Sequence, residues 1–128
     1  MVVAEAYAAG AGHVTVIWAD DAVTRLTYEH VEKSYFEQTS EWKRMQLDSL
    51  AQDGACFVFI EGADPAALKG IDPAKPAAAS KARNTQCKVF RRGLDYNINP
   101  WCIAGAPVVA WAHEVFPGDA DEVAIYKL

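Results

Sequence analysis

What the sequence has little of narrows it first. It contains three cysteines, Cys56, Cys87 and Cys102, an odd number with no C-x-x-C pair. That is not a disulfide framework, and it points to a reducing, cytoplasmic compartment. Cys56 and Cys102 lie inside apolar runs, where a free thiol packs as a small hydrophobe. No His-plus-acid context points at any of the three as a nucleophile. No apolar run approaches the ~18–20 residues of a membrane span, so no membrane partner is expected. The start, Met1-Val2-Val3-Ala4-Glu5, has no basic n-region and no cleavage site, and does not read as a signal peptide. Basic residues are outnumbered, twelve against seventeen acidic, for a formal charge of −5 and a pI of about 5.1. Nucleic acid is a poor partner for such a chain, because phosphate binding needs a basic surface.

Histidine is scarce too. His13, His30 and His113 are scattered, and no pair has metal-ligand spacing. His113-Glu114 does not open H-E-x-x-H, because Pro117 stands four beyond the histidine. There is no P-loop, no G-x-G-x-x-G and no G-x-S-x-G. The chain therefore offers no recognisable catalytic constellation, and no catalytic or metal-ligating residue is assigned to it.

What is present is a globular balance: 128 residues, 52% apolar and 23% charged. This suits a single domain over residues 1–128 with enough length to bury a core unaided. The pattern alternates β and α. His13–Trp18, Ala55–Ile60 and Trp101–Ala104 read as strands, bounded by Gly, Asp and Pro punctuation. Two of them are continuously apolar, as strands are when helices cover both faces. Between them, Ser40 reads as the N-cap of a helix with Trp42, Met45, Leu47, Leu50 and Ala51 on its apolar stripe, ending at Gly54. Asp64-Pro65 opens a short helix that Gly70 closes. Asp72-Pro73 repeats the signal, and an alanine-rich helix from Ala77 to Arg92 follows, stopped by Gly93. Pro107 opens a helix over Val108–Val115. Asp119 with Glu122 reads as a capping box for a last helix. His30 falls in an irregular stretch. The expected fold is α/β: three layers, a mainly parallel sheet flanked by helices, Rossmann-like.

Both ends lie in amphipathic helices. Val2–Ala9 reads as the second half of a helix with a Gly10 stop and no cap at its start. Val123–Leu128 is an apolar helical pattern without a stop signal. The expectation is a piece of a longer chain, truncated at both ends, whose unpartnered edges and faces make it associate or limit its solubility.

In open α/β sheets, ligands bind beyond the carboxyl ends of the strands. There the sequence places Asp20, Asp21 and Glu61, three carboxylates that could hold a divalent cation or a substrate amine. The competing assignment has Asp20 or Asp21 capping the next helix and Glu61 solvated. A phospho-acceptor receiver domain does not fit, since Glu61 stands where its aspartate belongs and Ala104-Gly105-Ala106 has no lysine. Lys75, Lys81, Arg83, Lys88, Arg91 and Arg92 are half of the twelve basic residues and cluster in one helical region. Such a run is a solvated face or meets an acidic partner.

The string Asn99-Pro100-Trp101-Cys102-Ile103-Ala104-Gly105-Ala106-Pro107, continuing through Ala110-Trp111-Ala112 to Val115-Phe116-Pro117, resembles the N-terminal domain of the thermophilic metallo-aminopeptidases, the aminopeptidase T, aminopeptidase S and PepS group. Ala6-Tyr7-Ala8-Ala9-Gly10-Ala11, Val16-Ile17-Trp18-Ala19-Asp20-Asp21, Arg25-Leu26, Leu68–Pro73 and Ser80–Arg83 agree in order along the chain. Leu94-Asp95-Tyr96-Asn97 departs from the pattern. The resemblance implies an exopeptidase that removes N-terminal amino acids from peptides with two divalent metal ions (Zn, Co, Mg or Mn). It also implies a homodimer. The ligands would lie in a C-terminal catalytic domain beyond Leu128, leaving none in this chain. On that reading Arg91, Arg92, Trp101 and Trp111 are interface candidates, and the chain alone is inactive. The alternative is a free-standing α/β module binding a cation or small ligand around Asp20, Asp21 and Glu61.

Overall fold

The computed structural model describes residues 2–128. Helix α1 covers Val2–Ala8 and is closed by Gly10 at φ +96, where Ala11 N–H returns to Ala6 C=O at 3.0 Å. Only glycine takes that left-handed turn without strain.

The run His13–Trp18, expected as a strand, does not form one. A β-branched segment becomes a strand only where a neighbour takes its N–H and C=O groups. No strand lies beside it among the described residues. Val14 N–H instead meets the Tyr7 hydroxyl at 3.3 Å, and Trp18 stands 89% exposed. The chain then enters α2 (Asp21–His30), so His30 ends a helix and is not in an irregular stretch. A 3-10 helix, Lys33–Glu37, leads to α3 (Glu41–Gln52). Ser40 holds the N-cap position of α3, but its side chain makes no capping bond.

Strand β1 (Phe57–Glu61) and strand β2 (Trp101–Gly105) pair in parallel, Phe57 opposite Trp101 and Glu61 opposite Gly105. Among the described residues the sheet has these two strands. The connection carries α4 (Ala74–Gln86) and α5 (Lys88–Asp95). The single helix expected from Ala77 to Arg92 is thus two. Cys87 leaves helical geometry at φ −82, ψ 68: its N–H closes α4 on Arg83 C=O while its own C=O accepts from Arg91 N–H. The bend turns Cys87, fully buried, and Phe90 into the core. The expected helix over Asp64–Gly70 is a series of turns, Ala67 N–H to Asp64 C=O and Lys69 N–H to Ala66 C=O, ended by Gly70 at φ +85. Helices α6 (Val109–Val115) and α7 (Asp121–Lys127) complete the chain. The expected capping box does not form: Ala120 is the N-cap of α7, and Asp119 pairs with Lys127 at 2.7 Å.

The core lies on one side of the sheet. Ala51 of α3 and Cys87, Phe90 and Leu94 around α5 pack with Leu47, Phe57 and Phe59. Phe57 meets Phe90 edge-on at 5.1 Å, a favoured aromatic geometry. The register puts Val58, Cys102, Ile60 and Ala104 together on the other side, where Val58 and Ile60 are more than half exposed. Cys56 and Cys102, expected to pack as small hydrophobes, are exposed; Cys87 is the buried thiol. Its pKa is raised, first by loss of solvent and then by the Asp48 carboxylate. Among the described residues no helix is long and apolar enough to cross a membrane.

Asn99 locks the layers together. It is 2% exposed, its side-chain amide donates to Ala51 C=O at 3.1 Å and Ala55 C=O at 3.0 Å, and its backbone N–H donates to Gly93 C=O at 3.0 Å. Gly93 was expected to stop a helix. Instead α5 runs through it to Asp95, and the missing Cβ makes room for the Asn99 side chain.

Candidate functional site

The carboxyl ends of β1 and β2 meet closely. Ala106 N–H donates to Glu61 C=O at 2.7 Å, and a Cβ on Gly62 would stand 2.9 Å from Ala106 C=O. The chain beyond β1 therefore turns away at a residue with no side chain. It runs into the turns at 64–70, which α2 holds down. Asp21 Oδ2 accepts from Asp64 N–H at 3.2 Å. Arg25 donates to Ala67 C=O at 2.8 Å and Lys69 C=O at 3.0 Å, and pairs with Glu29 one turn on at 2.8 Å. Asp20 is the N-cap of α2, its Oδ1 accepting from Val23 N–H at 2.9 Å.

Two of the three carboxylates expected in a crevice thus have local partners. Asp20 satisfies a free helix N–H, and Asp21 clamps a loop. Glu61 is exposed at the end of β1. Among the described residues no three His, Cys, Asp or Glu side chains group so that they could hold a metal ion. The described residues do not fit a divalent metal pair. The clamping residue Arg25 is one whose role composition did not reveal. Its signal was the i,i+4 spacing to Glu29 on a segment opened by Asp20.

Arg91 and Arg92 lie exposed on α5, Arg91 bonded to Asp95 one turn on at 3.0 Å. Trp101 is partly covered, its indole N–H donating to Leu94 C=O at 3.2 Å and its ring edge-on to Phe59 at 6.5 Å. Trp111 packs over Gly105, where an added Cβ would meet its ring at 3.3 Å. His113 joins α6 to α7 through Asp121 at 2.7 Å.

This arrangement, two parallel strands joined by a helical crossover, carries a sequence that matches the family described as thermophilic metalloprotease (M29) over residues 1–128. The chain belongs to the M29 family. Among relatives, aminopeptidase AmpS of Bacillus subtilis (strain 168) is 38% identical over 128 residues, which is 100% of this M29 chain and 31% of the relative. Aminopeptidase 2 of Geobacillus stearothermophilus is 33% identical, over 96% of this chain and 30% of its own. In three dimensions the chain superposes on wild-type AmpT from Thermus thermophilus with a TM-score of 0.83 at 28% identity, covering 99% of this chain and 32% of that one. The M29 chain thus spans about a third of the length of the relatives it matches.

Proposed function

We propose that this chain is the N-terminal domain of a dinuclear-metal aminopeptidase that removes N-terminal amino acids from peptides, and that it is inactive alone. The observation that carries the reading is the match of nearly the whole chain, at a TM-score of 0.83, to about a third of a longer aminopeptidase. Hydrolysis of this type needs a metal to activate water and a base to take its proton. With Asp20 and Asp21 engaged by backbone N–H groups, the ligands for two ions (Zn, Co, Mg or Mn) are assigned to a C-terminal catalytic domain. In the parent enzyme the two strands extend into a three-layer parallel sheet. The mouth around Asp20, Asp21 and Glu61 shapes the cavity that substrate peptides enter. Arg91, Arg92, Trp101 and Trp111 serve contacts with the rest of the parent or with a second subunit. A cytoplasmic setting suits three free thiols.

The test is an assay of the purified 128-residue chain with Zn²⁺ or Co²⁺ against aminoacyl chromogenic substrates, beside a full-length relative. No turnover above buffer is expected. Turnover near that of the relative overturns the reading. A second assay decides the alternative module: calorimetry with divalent ions, in which a micromolar site abolished by Asp20→Asn would replace the proposed function.

A further inference from the structure

Two of the three thiols belong to the sheet. Cys102 lies in β2 and stands opposite Val58. Cys56 directly precedes β1, and the pairing already holds there. Phe57 N–H donates to Pro100 C=O at 2.9 Å, beside the Phe57–Trp101 pair. Exposure alternates without a break along this stretch: Cys56, Val58 and Ile60 are exposed, while Ala55, Phe57 and Phe59 are half-buried. Successive side chains of a strand point to opposite faces, and paired residues share a face. Cys56 and Cys102 therefore project from one face, the one turned away from Phe57, Phe59 and the core. Both thiols are free and exposed, and they stand diagonally across the two strands.

That diagonal selects the chemistry. Strands about 4.8 Å apart, rising about 3.3 Å per residue, put two such Cα atoms about 8 Å from one another. A disulfide needs about 4.4–6.8 Å, so the sulfurs do not close on each other directly. An ion held between them adds two metal–sulfur bonds of about 2.3 Å each, which spans the difference. The surroundings decide which ion. Val58, Ile60 and Ala104 share the face and offer no ligand atom. Among the described residues no third His, Cys, Asp or Glu joins the two thiols. Mg²⁺ and Ca²⁺ require about six or more oxygen ligands, and structural Zn²⁺ about four ligands. Two thiolates on an apolar face suit a soft monovalent cation that two sulfurs satisfy.

We propose that Cys56 and Cys102 form a two-thiolate site for one soft, thiophilic cation, of which Cu(I) is the test case. Binding releases the thiol protons. One Cu(I) and two S–H groups give one S–Cu–S bridge with a single net negative charge and two protons, with no change of oxidation state. The bridge ties the lead into β1 to β2 across the open side of the sheet. Cys87, fully buried on the core side, takes no part. The proposal does not rest on the peptidase reading, since it uses other residues and a different class of metal.

The experiment titrates the reduced 128-residue chain, free of oxygen, with Cu(I) buffered by a competing chromogenic chelator. One ion per chain is expected, with a thiolate-to-copper band in the ultraviolet and joint protection of both exposed thiols from alkylation. Cys56→Ser and Cys102→Ser should each weaken binding at least about hundredfold, because the second arm of a chelate acts at high effective concentration. Register supplies the sharp arm. In the Cys56→Ser background, Val58→Cys puts a thiol directly opposite Cys102 and should restore binding. In the Cys102→Ser background, Ile103→Cys puts a thiol on the other face and should not. Circular dichroism checks every variant, and alanine replaces serine where a variant unfolds. The proposal is overturned by no binding, by two ions per chain, or by single variants that bind like the parent. Rescue by Ile103→Cys, or one ion linking two chains in sedimentation, overturns it as well.

Discussion

Gly93→Ala separates two physical accounts by the sign of the effect. Helix propensity alone favours alanine inside α5 by about 1 kcal/mol, because glycine loses more backbone freedom on folding. The structure points the other way. An added Cβ would overlap Asn99 Oδ1, and Asn99 is buried with little room to retreat. Moving it breaks the bonds to Ala51 C=O and Ala55 C=O, which hold the end of α3 and the lead into β1. Two such bonds are worth about 1 kcal/mol each, with more lost if a buried carbonyl stays unpaired. Set against the propensity gain, Gly93→Ala should destabilise by about 1 kcal/mol, and by more where a buried carbonyl is left unpaired. Asn99→Ala should cost about 2–4 kcal/mol, since it removes both bonds and leaves a void. In the double variant the new methyl group occupies space the amide has left. The two changes should therefore couple by more than about 1 kcal/mol, and Gly93→Ala should become neutral or stabilising in that background. Urea unfolding followed by far-ultraviolet circular dichroism measures all four proteins. A Gly93→Ala chain more stable than the parent, or strict additivity, would refute the account of Asn99 as the lock.

Two more predictions concern single groups. Cys87 is fully buried, so a thiol reagent should titrate only Cys56 and Cys102 in the folded chain, with the third reacting at the rate of unfolding. Burial raises the Cys87 pKa above its ordinary 9.0, so the unfolded chain releases that proton before the folded one does; stability should hold below pH 9.0 and fall above it, seen as a declining urea midpoint. Arg25→Ala removes two charge-assisted bonds to the loop carbonyls and should cost about 1–2 kcal/mol, with faster proteolysis at 64–70. Glu29→Gln, breaking only the exposed pair, should cost about 0.5 kcal/mol or less; equal losses would refute the loop clamp.

Legibility in the sequence followed what is local. Phe57–Glu61 and Trp101–Gly105 were readable because apolar, β-rich runs sat between Gly, Asp and Pro breakers. His13–Trp18 has the same grammar and failed because pairing depends on a neighbour, which no local pattern supplies. The α4–α5 break was invisible for a similar reason: the alanine-rich run has no breaker at Cys87, and burial of Cys87 and Phe90 decides the bend. Gly93 was read through its local preference, whereas its role is a contact with a residue six positions on. At the candidate site, the Asp20 cap of α2 was legible as the competing assignment for that residue, from its place just before a helical segment. That Asp21 would clamp Asp64 was not, since 43 residues separate them. Family membership was carried by the order of several weak motifs, none sufficient alone.

The parallel pairing of β1 with β2 also has a cost in time. An antiparallel hairpin can close as soon as its second strand is made, but this pair must wait for the whole α4–α5 crossover. About forty residues separate Glu61 from Trp101. At ordinary synthesis rates Phe57–Glu61 therefore waits about 2–8 s for its partner strand. Throughout that interval Val58 and Ile60 stand beside an open ladder, able to pair with any passing strand. The window between the emergence of Glu61 and that of Gly105 therefore adds a co-translational risk of misassembly to that of the edges left open in the folded chain, and a chaperone could serve the chain there.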